Sequence, residues 1–262
     1  MLHYIKNFDI DAVNFIDACA ALTEAQRIII NDLVKNLKNN SLWNKFYAIY
    51  PVIGGIEATH KFNLKDPRDL DAAFRLQFLG AWTHASTQMK PETALADNYA
   101  TTYLNPSLLG YNANDFHLSM YTRDGNIETD AAGRGSLGWY AANTGSCIIV
   151  NRTNYHFKFF RGTDTTNSGT TTGGAYHGLL IGSRIANNNN STYLNGALLQ
   201  NNTILNTGGF ASKFMNLGRI TAINGSIQPF SFASVGSGLT SDEQIILYNI
   251  IQAYQTSLGR QV

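Results

Sequence analysis

Over the first fifty residues apolar positions recur at helical spacing. Asp9 or Asp11 caps a helix over DIDAVNFIDACAAL, because a short acidic side chain there accepts from the exposed main-chain N–H groups. Thr23-Glu24-Ala25-Gln26 has capping-box spacing, and Ile28, Ile29, Leu33 and Leu37 carry a second helix to the Lys38-Asn39-Asn40 stop. Ser41 caps a third, shorter helix, LWNKFYAIY, which Pro51 and Gly54-Gly55 end.

From about residue 59 the period changes to two. Phe74, Leu76 and Phe78 alternate with Arg75 and Gln77; Phe116, Leu118 and Met120 alternate with His117, Ser119 and Tyr121; Tyr155, Phe157 and Phe159 alternate with His156 and Lys158. This is the pattern of half-buried strands, with His60, His117 and His156 facing solvent. The runs CIIV, GLLIGSRI, TYLNGALL, FMNLGRI and PFSFASV continue it to about residue 238. Residues 187–190 link two strands, Asn195-Gly196 marks a hairpin, and residues 162–174 (GTDTTNSGTTTGG) read as an extended surface loop. A second capping box, Thr240-Ser241-Asp242-Glu243, opens a helix through Ile245, Ile246, Ile250, Ile251 and Tyr254 that stops at Gly259. The pattern predicts a mainly β protein: an N-terminal helical segment over 1–58, an antiparallel β-sandwich or jelly roll over 59–238, and a C-terminal helix in 239–262. That helix is apolar on both faces, so it is expected to pack on the N-terminal helices and one end of the sandwich.

Charge narrows the partners. Lys+Arg number 19 and Asp+Glu 18, charged residues are only 14% of 262, and so weak a field argues against nucleic acid. No stretch approaches the roughly 18 apolar residues of a membrane span, so no membrane insertion is expected. The opening MLHYIKNFDIDAV lacks an apolar signal core, so no secretion address is expected either. Cys19 and Cys147 lie among apolar neighbours and read as small buried hydrophobes.

Catalytic constellations are missing from the sequence. There is no G-x-S-x-G, H-E-x-x-H, phosphate-binding loop or Cys/His metal spacing, and the expectation is a protein that is not an enzyme. Residues 133–138 (GRGSLG) match G-x-G-x-x-G but lack the strand before and helix after that a dinucleotide needs, and read as a glycine-rich turn. The five glutamates, Glu24, Glu57, Glu92, Glu128 and Glu243, form no pair suited to glycoside hydrolysis. Asp66, Asp69 and Asp71 could offer oxygen ligands to calcium, the one cofactor the residues suggest; the alternative is a turn in which Arg68 or Arg75 pairs with an Asp. Trp82, His84, Trp139 and Tyr140 are the candidate carbohydrate-binding residues, since a ring stacks on a pyranose face while polar side chains hold its hydroxyls; against this, a tryptophan in an aromatic-rich fold is more often core than ligand platform.

The segments LWNKFYAIYPVIGG, HKFNLKDPRDLDAAFRL, GAWTHAS, SFASVGSGLT and QAYQTSLGRQV together resemble bacteriophage virion proteins with a concanavalin A-like, laminin-G-like jelly roll. The resemblance implies a structural protein of a head fibre, tail or other appendage, located in the virion. Its partners would be other virion proteins, further copies of itself and host-surface glycans. It carries over no catalytic residue. Two alternatives stand beside it: a purely architectural decoration or docking protein, and a polysaccharide depolymerase, which the lack of paired carboxylates opposes.

Overall fold

The structure is a computed structural model describing residues 7–124, 135–141, 144–150, 155–161, 164–168, 177–203, 205, 209–221 and 225–262. Helix α1 spans Ile10–Ala18, with the Asp9 side chain accepting from the Asp11 N–H as a cap. Helix α2 spans Glu24–Asn39, and the Thr23/Gln26 capping box closes in both directions. Lys38 near the end of α2 lies 2.6 Å from both Asp9 and Asp11, tying the two helices together.

The third expected helix is instead a strand. After a 3-10 turn at Trp43–Lys45, β1 runs over Phe46–Tyr50 and pairs antiparallel with β15 (Phe232–Gly236), Phe46 opposite Gly236 and Tyr50 opposite Ala233. Aromatic and β-branched residues suit a pleated surface, and a pairing partner so distant leaves no local trace. A short helix α3 (Glu57–His60) and a 3-10 turn at Asp71–Ala73 come next. Phe74 closes that turn at φ 59°, so the strand expected from residue 74 shrinks to β2, Gln77–Leu79.

The remaining strands are β3 (Trp82–His84), β4 (Met89–Pro91), β5 (Tyr99–Thr101), β6 (Phe116–Thr122), β7 (Gly135–Ala141), β8 (Thr144–Val150), β9 (Tyr155–Arg161), β10 (Asp164–Ser168), β11 (Gly178–Ala186), β12 (Asn189–Leu194), β13 (Ala197–Asn202) and β14 (Asn216–Leu217). They form a six-stranded sheet, β1-β15-β6-β11-β12-β13, a seven-stranded sheet, β10-β9-β8-β7-β14-β5-β2, and the hairpin β3-β4. The fold is thus an antiparallel β-sandwich with helices near both ends of the chain. The glycine-rich turn expected at 133–138 runs into β7, and the loop expected at 162–174 contains β10, its other residues lying outside those described. Asn195 and Gly196 turn β12 into β13 with φ of 50° and 77°, as the Asn-Gly signal requires.

One sheet is covered on both faces. Phe116, Leu118 and Met120 of β6 point into the core between the sheets with Leu137, Leu217 and Val235. On the opposite face Tyr121, Leu179, Ile181 and Phe232 meet Phe15, Ile30 and Leu33 of the N-terminal helices and Leu247 and Ile251 of helix α4 (Ser241–Ser257). Helix α4, held by its Thr240/Glu243 capping box, therefore lies across the sheet's broad face rather than at one end of the sandwich.

This second layer corrects the reading of the histidines. His117 is 0% exposed, its Nδ1 2.5 Å from the Ser237 carbonyl and its Nε2 3.3 Å from Ser234 Oγ, and burial pushes its pKa down to about 4. Ser119, from the same expected solvent face, shares a 2.6 Å hydrogen bond with Ser234. His60 is buried in α3 rather than exposed on a strand, and the His156 side chain lies outside the described residues. Cys19 is free and buried, with its thiol pushed up to about 12 by burial, while the Cys147 side chain lies outside the described residues.

Candidate functional site

Directly opposed residues of an antiparallel pair share a face. Phe78, Ala100, Leu217 and Leu137 are in register across β2, β5, β14 and β7, and this row packs inward. The neighbouring row, Gln77, Thr101, Asn216 and Gly138, therefore faces outward, away from both the inter-sheet core and the helices. It is polar, and its last member has no side chain.

Gly138 does more than leave room. Leu137 packs inward, so strict alternation would put Trp139, two residues on, inward as well. Gly138 adopts φ +115°, a conformation that L side chains rarely take, and beyond it Trp139 lines the outer face. There, a pocket of about 310 Å³ opens over the polar row, walled by Tyr99, Tyr103, Trp139 and Phe214.

The walls brace one another. Tyr103 meets Phe214 edge-on at 5.6 Å between ring centroids, and its hydroxyl donates to Gln77 Oε1. Partial burial, with the Asp71 carboxylate, raises the Tyr103 pKa, so the hydroxyl stays a donor at neutral pH. Arg219 lays its guanidinium 3.3 Å from the Tyr99 ring centroid and 5.6 Å from that of Trp139, while Nη1 donates to the Ala96 carbonyl at 2.7 Å. Phe214 stays 43% exposed, an apolar ring offered to solvent. Among the described residues no carboxylate or histidine lines this pocket. Ring faces beside amide, hydroxyl and guanidinium groups suit the apolar and hydroxylated faces of a sugar.

The residues singled out in the sequence fall in three places. Trp139 lines the pocket, and Tyr140 follows it in β7 with its side chain outside the described residues. Trp82 and His84 sit on the β3-β4 hairpin, away from the pocket lining. The Trp82 indole donates to the Leu79 carbonyl at 3.2 Å and packs on Phe78 at 5.0 Å. His84 Nδ1 lies 2.9 Å from His60 Nδ1. Burial, with the neighbouring His84 and Arg260, takes the His60 pKa down to about 3, and burial lowers that of His84, so two neutral rings share one proton. The acidic cluster is occupied by cations: Asp66 by Arg68 at 2.5 Å, Asp69 by Lys61 at 2.5 Å and Arg75 at 2.9 Å, Asp71 by Arg75 at 2.9 Å. Hydrogen bonds from Arg68 and Lys61 hold Asp66 and Asp69 below the ordinary carboxylate range. Among the described residues no three His, Cys, Asp or Glu side chains are grouped to hold a metal, and no helix is long and apolar enough to cross a membrane. Sequence reasoning passed over Gln77, Tyr99, Tyr103, Phe214 and Arg219; the alternation Tyr99, Thr101, Tyr103 was the available signal.

No protein-family model matches the chain, and no curated protein sequence matches it. Solved structures do. One, of botulinum neurotoxin type C, whose cell entry is described as dependent on interaction with two ganglioside molecules, aligns with a TM-score of 0.61 at 12% identity over 82% of this chain and 53% of that one. The binding domain of botulinum neurotoxin DC in complex with SialylT aligns with a TM-score of 0.59 at 13% identity, over 80% and 52%. A further receptor binding domain gives 0.61 at 14% identity, over 81% and 52%. The chain spans about half the length of these structures, and at such identity the likeness is one of fold.

Proposed function

We propose that this chain is a non-catalytic glycan-binding module, and that the pocket walled by Tyr99, Tyr103, Trp139 and Phe214 is where the sugar binds. The observation that carries the reading is the contrast between the sheets: helices cover the outer face of one, while the other presents aromatic rings over a polar row. The toxin domains that share the fold lend support, since one is described with gangliosides and another with SialylT. About half of each toxin chain lies outside the match, so the ligand is argued from this pocket and not from theirs.

The sequence resemblance supports a finer reading, in which the module belongs to a phage head fibre, tail or other appendage and meets host-surface glycans. Several copies held by other virion proteins would multiply weak single-site affinity. The test is a panel of bacterial surface polysaccharides, offered to the purified chain with a reducing-end assay in the same wells. The expected result is binding without release of reducing ends, lost in Tyr103→Ala and Trp139→Ala. Folded protein that binds nothing on the panel, or that liberates reducing ends, defeats the proposal.

A further inference from the structure

The pocket is electrostatically one-sided. Lys213 and Arg219 line it, and among the described residues no Asp or Glu does. Asp71, close enough to act on Tyr103, is already engaged by Arg75 at 2.9 Å. Arg219 is fixed rather than free to swing out, being pinned by the Ala96 carbonyl and stacked over Tyr99.

Two donors on this wall are incomplete. Arg219 Nε and the indole Nε1 of Trp139 are both buried, and neither has a hydrogen-bond partner among the described residues. Leaving a buried N–H unmade is costly, and each of these groups can only donate. Both atoms are closed to solvent, so a ligand in the pocket acts on them through its charge, and an ionised group there favours such donors more than a hydroxyl does. Tyr103 and Phe214 on the other wall leave ring surface for the body of the same ligand.

We propose that the pocket selects an acidic saccharide, a uronic or sialic acid unit whose carboxylate lies against Lys213 and the Arg219 guanidinium while its ring packs on the aromatic walls. This rests on the glycan-binding reading and narrows it to a ligand class. Calorimetric titration of the full chain with polygalacturonate oligosaccharides and sialyllactose, each beside its carboxyl-reduced form, tests it at low and at high salt. The acidic probes are expected to bind at least about tenfold more tightly than their reduced forms and to weaken with salt. Lys213→Glu should remove about tenfold of the acidic affinity and leave the reduced probes unchanged, while Arg219→Gln, which also unbraces Tyr99 and Trp139, should weaken both kinds and the acidic probes by about tenfold more. Lys213 is exposed, so its variant carries the test even where the Arg219 change disturbs folding. Equal binding of acidic and reduced probes overturns the charge selection and leaves the glycan reading intact. Failure of the folded chain to bind either kind overturns both.

Discussion

The guanidinium of Arg260 donates to the main-chain oxygen of Val52 at 2.7 Å, fastening the segment after α4 to the loop after β1. Its remaining N–H groups reach the carbonyls of Pro51, Ser86 and Ser231 and the side chain of Gln255, and the residue is 1% exposed. Arg260→Met would leave those carbonyls buried without their donor, at a cost of about 3 kcal/mol, and roughly 6–12 °C in melting temperature. Differential scanning calorimetry reads this directly; a melting point within about 2 °C of the parent would show that water replaces the guanidinium.

His117 makes stability depend on pH. Its folded pKa of about 4 lies below the ordinary 6.5, so between those values the unfolded chain binds more protons than the folded one. Stability is full above 6.5 and is lost as pH falls toward 4, by about 2 kcal/mol at pH 5 from this residue alone. His60, lowered to about 3, acts in the same direction. Chemical denaturation from pH 7 to 5 should show the decline, with a shallower slope in His117→Gln; parallel slopes would exclude His117 as a source.

Trp82 and Trp139 should separate cleanly. Trp82 packs on Phe78 and is anchored to the Leu79 carbonyl, so Trp82→Ala is expected to cost about 2 kcal/mol of stability and leave glycan affinity unchanged. Trp139→Ala should do the reverse. Melting and binding measured on both variants decide it, and affinity lost in Trp82→Ala at unchanged stability would move the site to the β3-β4 hairpin.

Gly138→Ala tests how Trp139 is aimed. A side chain at φ +115° is strained by about 1–3 kcal/mol, which the backbone can relieve by turning Trp139 back toward the core. The expected outcome is weakened glycan binding with quenched or shifted tryptophan fluorescence. Unaltered affinity would show that the ring's position does not depend on this glycine.

Chelation should have no effect on binding. Asp66, Asp69 and Asp71 each already face a cation, so calcium would have to displace Arg68, Lys61 or Arg75. Titration in EDTA and in calcium is expected to give one affinity, and a calcium requirement would return these aspartates to the site.

What could be read from the sequence was what neighbouring residues decide. The capping boxes at Thr23 and Thr240 and the Asn195-Gly196 turn are complete within a few positions, and each forms as expected. Residues 46–50 misled because their strand identity comes from pairing with residues 233–236. At His117 the two-residue period was right, yet a period cannot say whether a second layer covers the polar face. The pocket stayed hidden because it is assembled from β2, β5 and β14, strands of two or three residues far apart in the chain, so the one local alternation, Tyr99, Thr101 and Tyr103, gave no sign of what it would meet.

The helical layer on the six-stranded sheet also sets a timetable. Phe232 and Tyr121 gain their full set of apolar neighbours when α1 and α2, which precede the sheet's strands in the chain, meet α4, which follows them. Until β15 and α4 have both joined, the apolar face of β6 and β11 lacks its full cover, a state prone to sticking to other chains. Contacts joining the two ends of the sequence are slow to form, so completion of this layer is the natural late step of folding. Production in a host with ample chaperone capacity, or at low temperature, is the practical corollary.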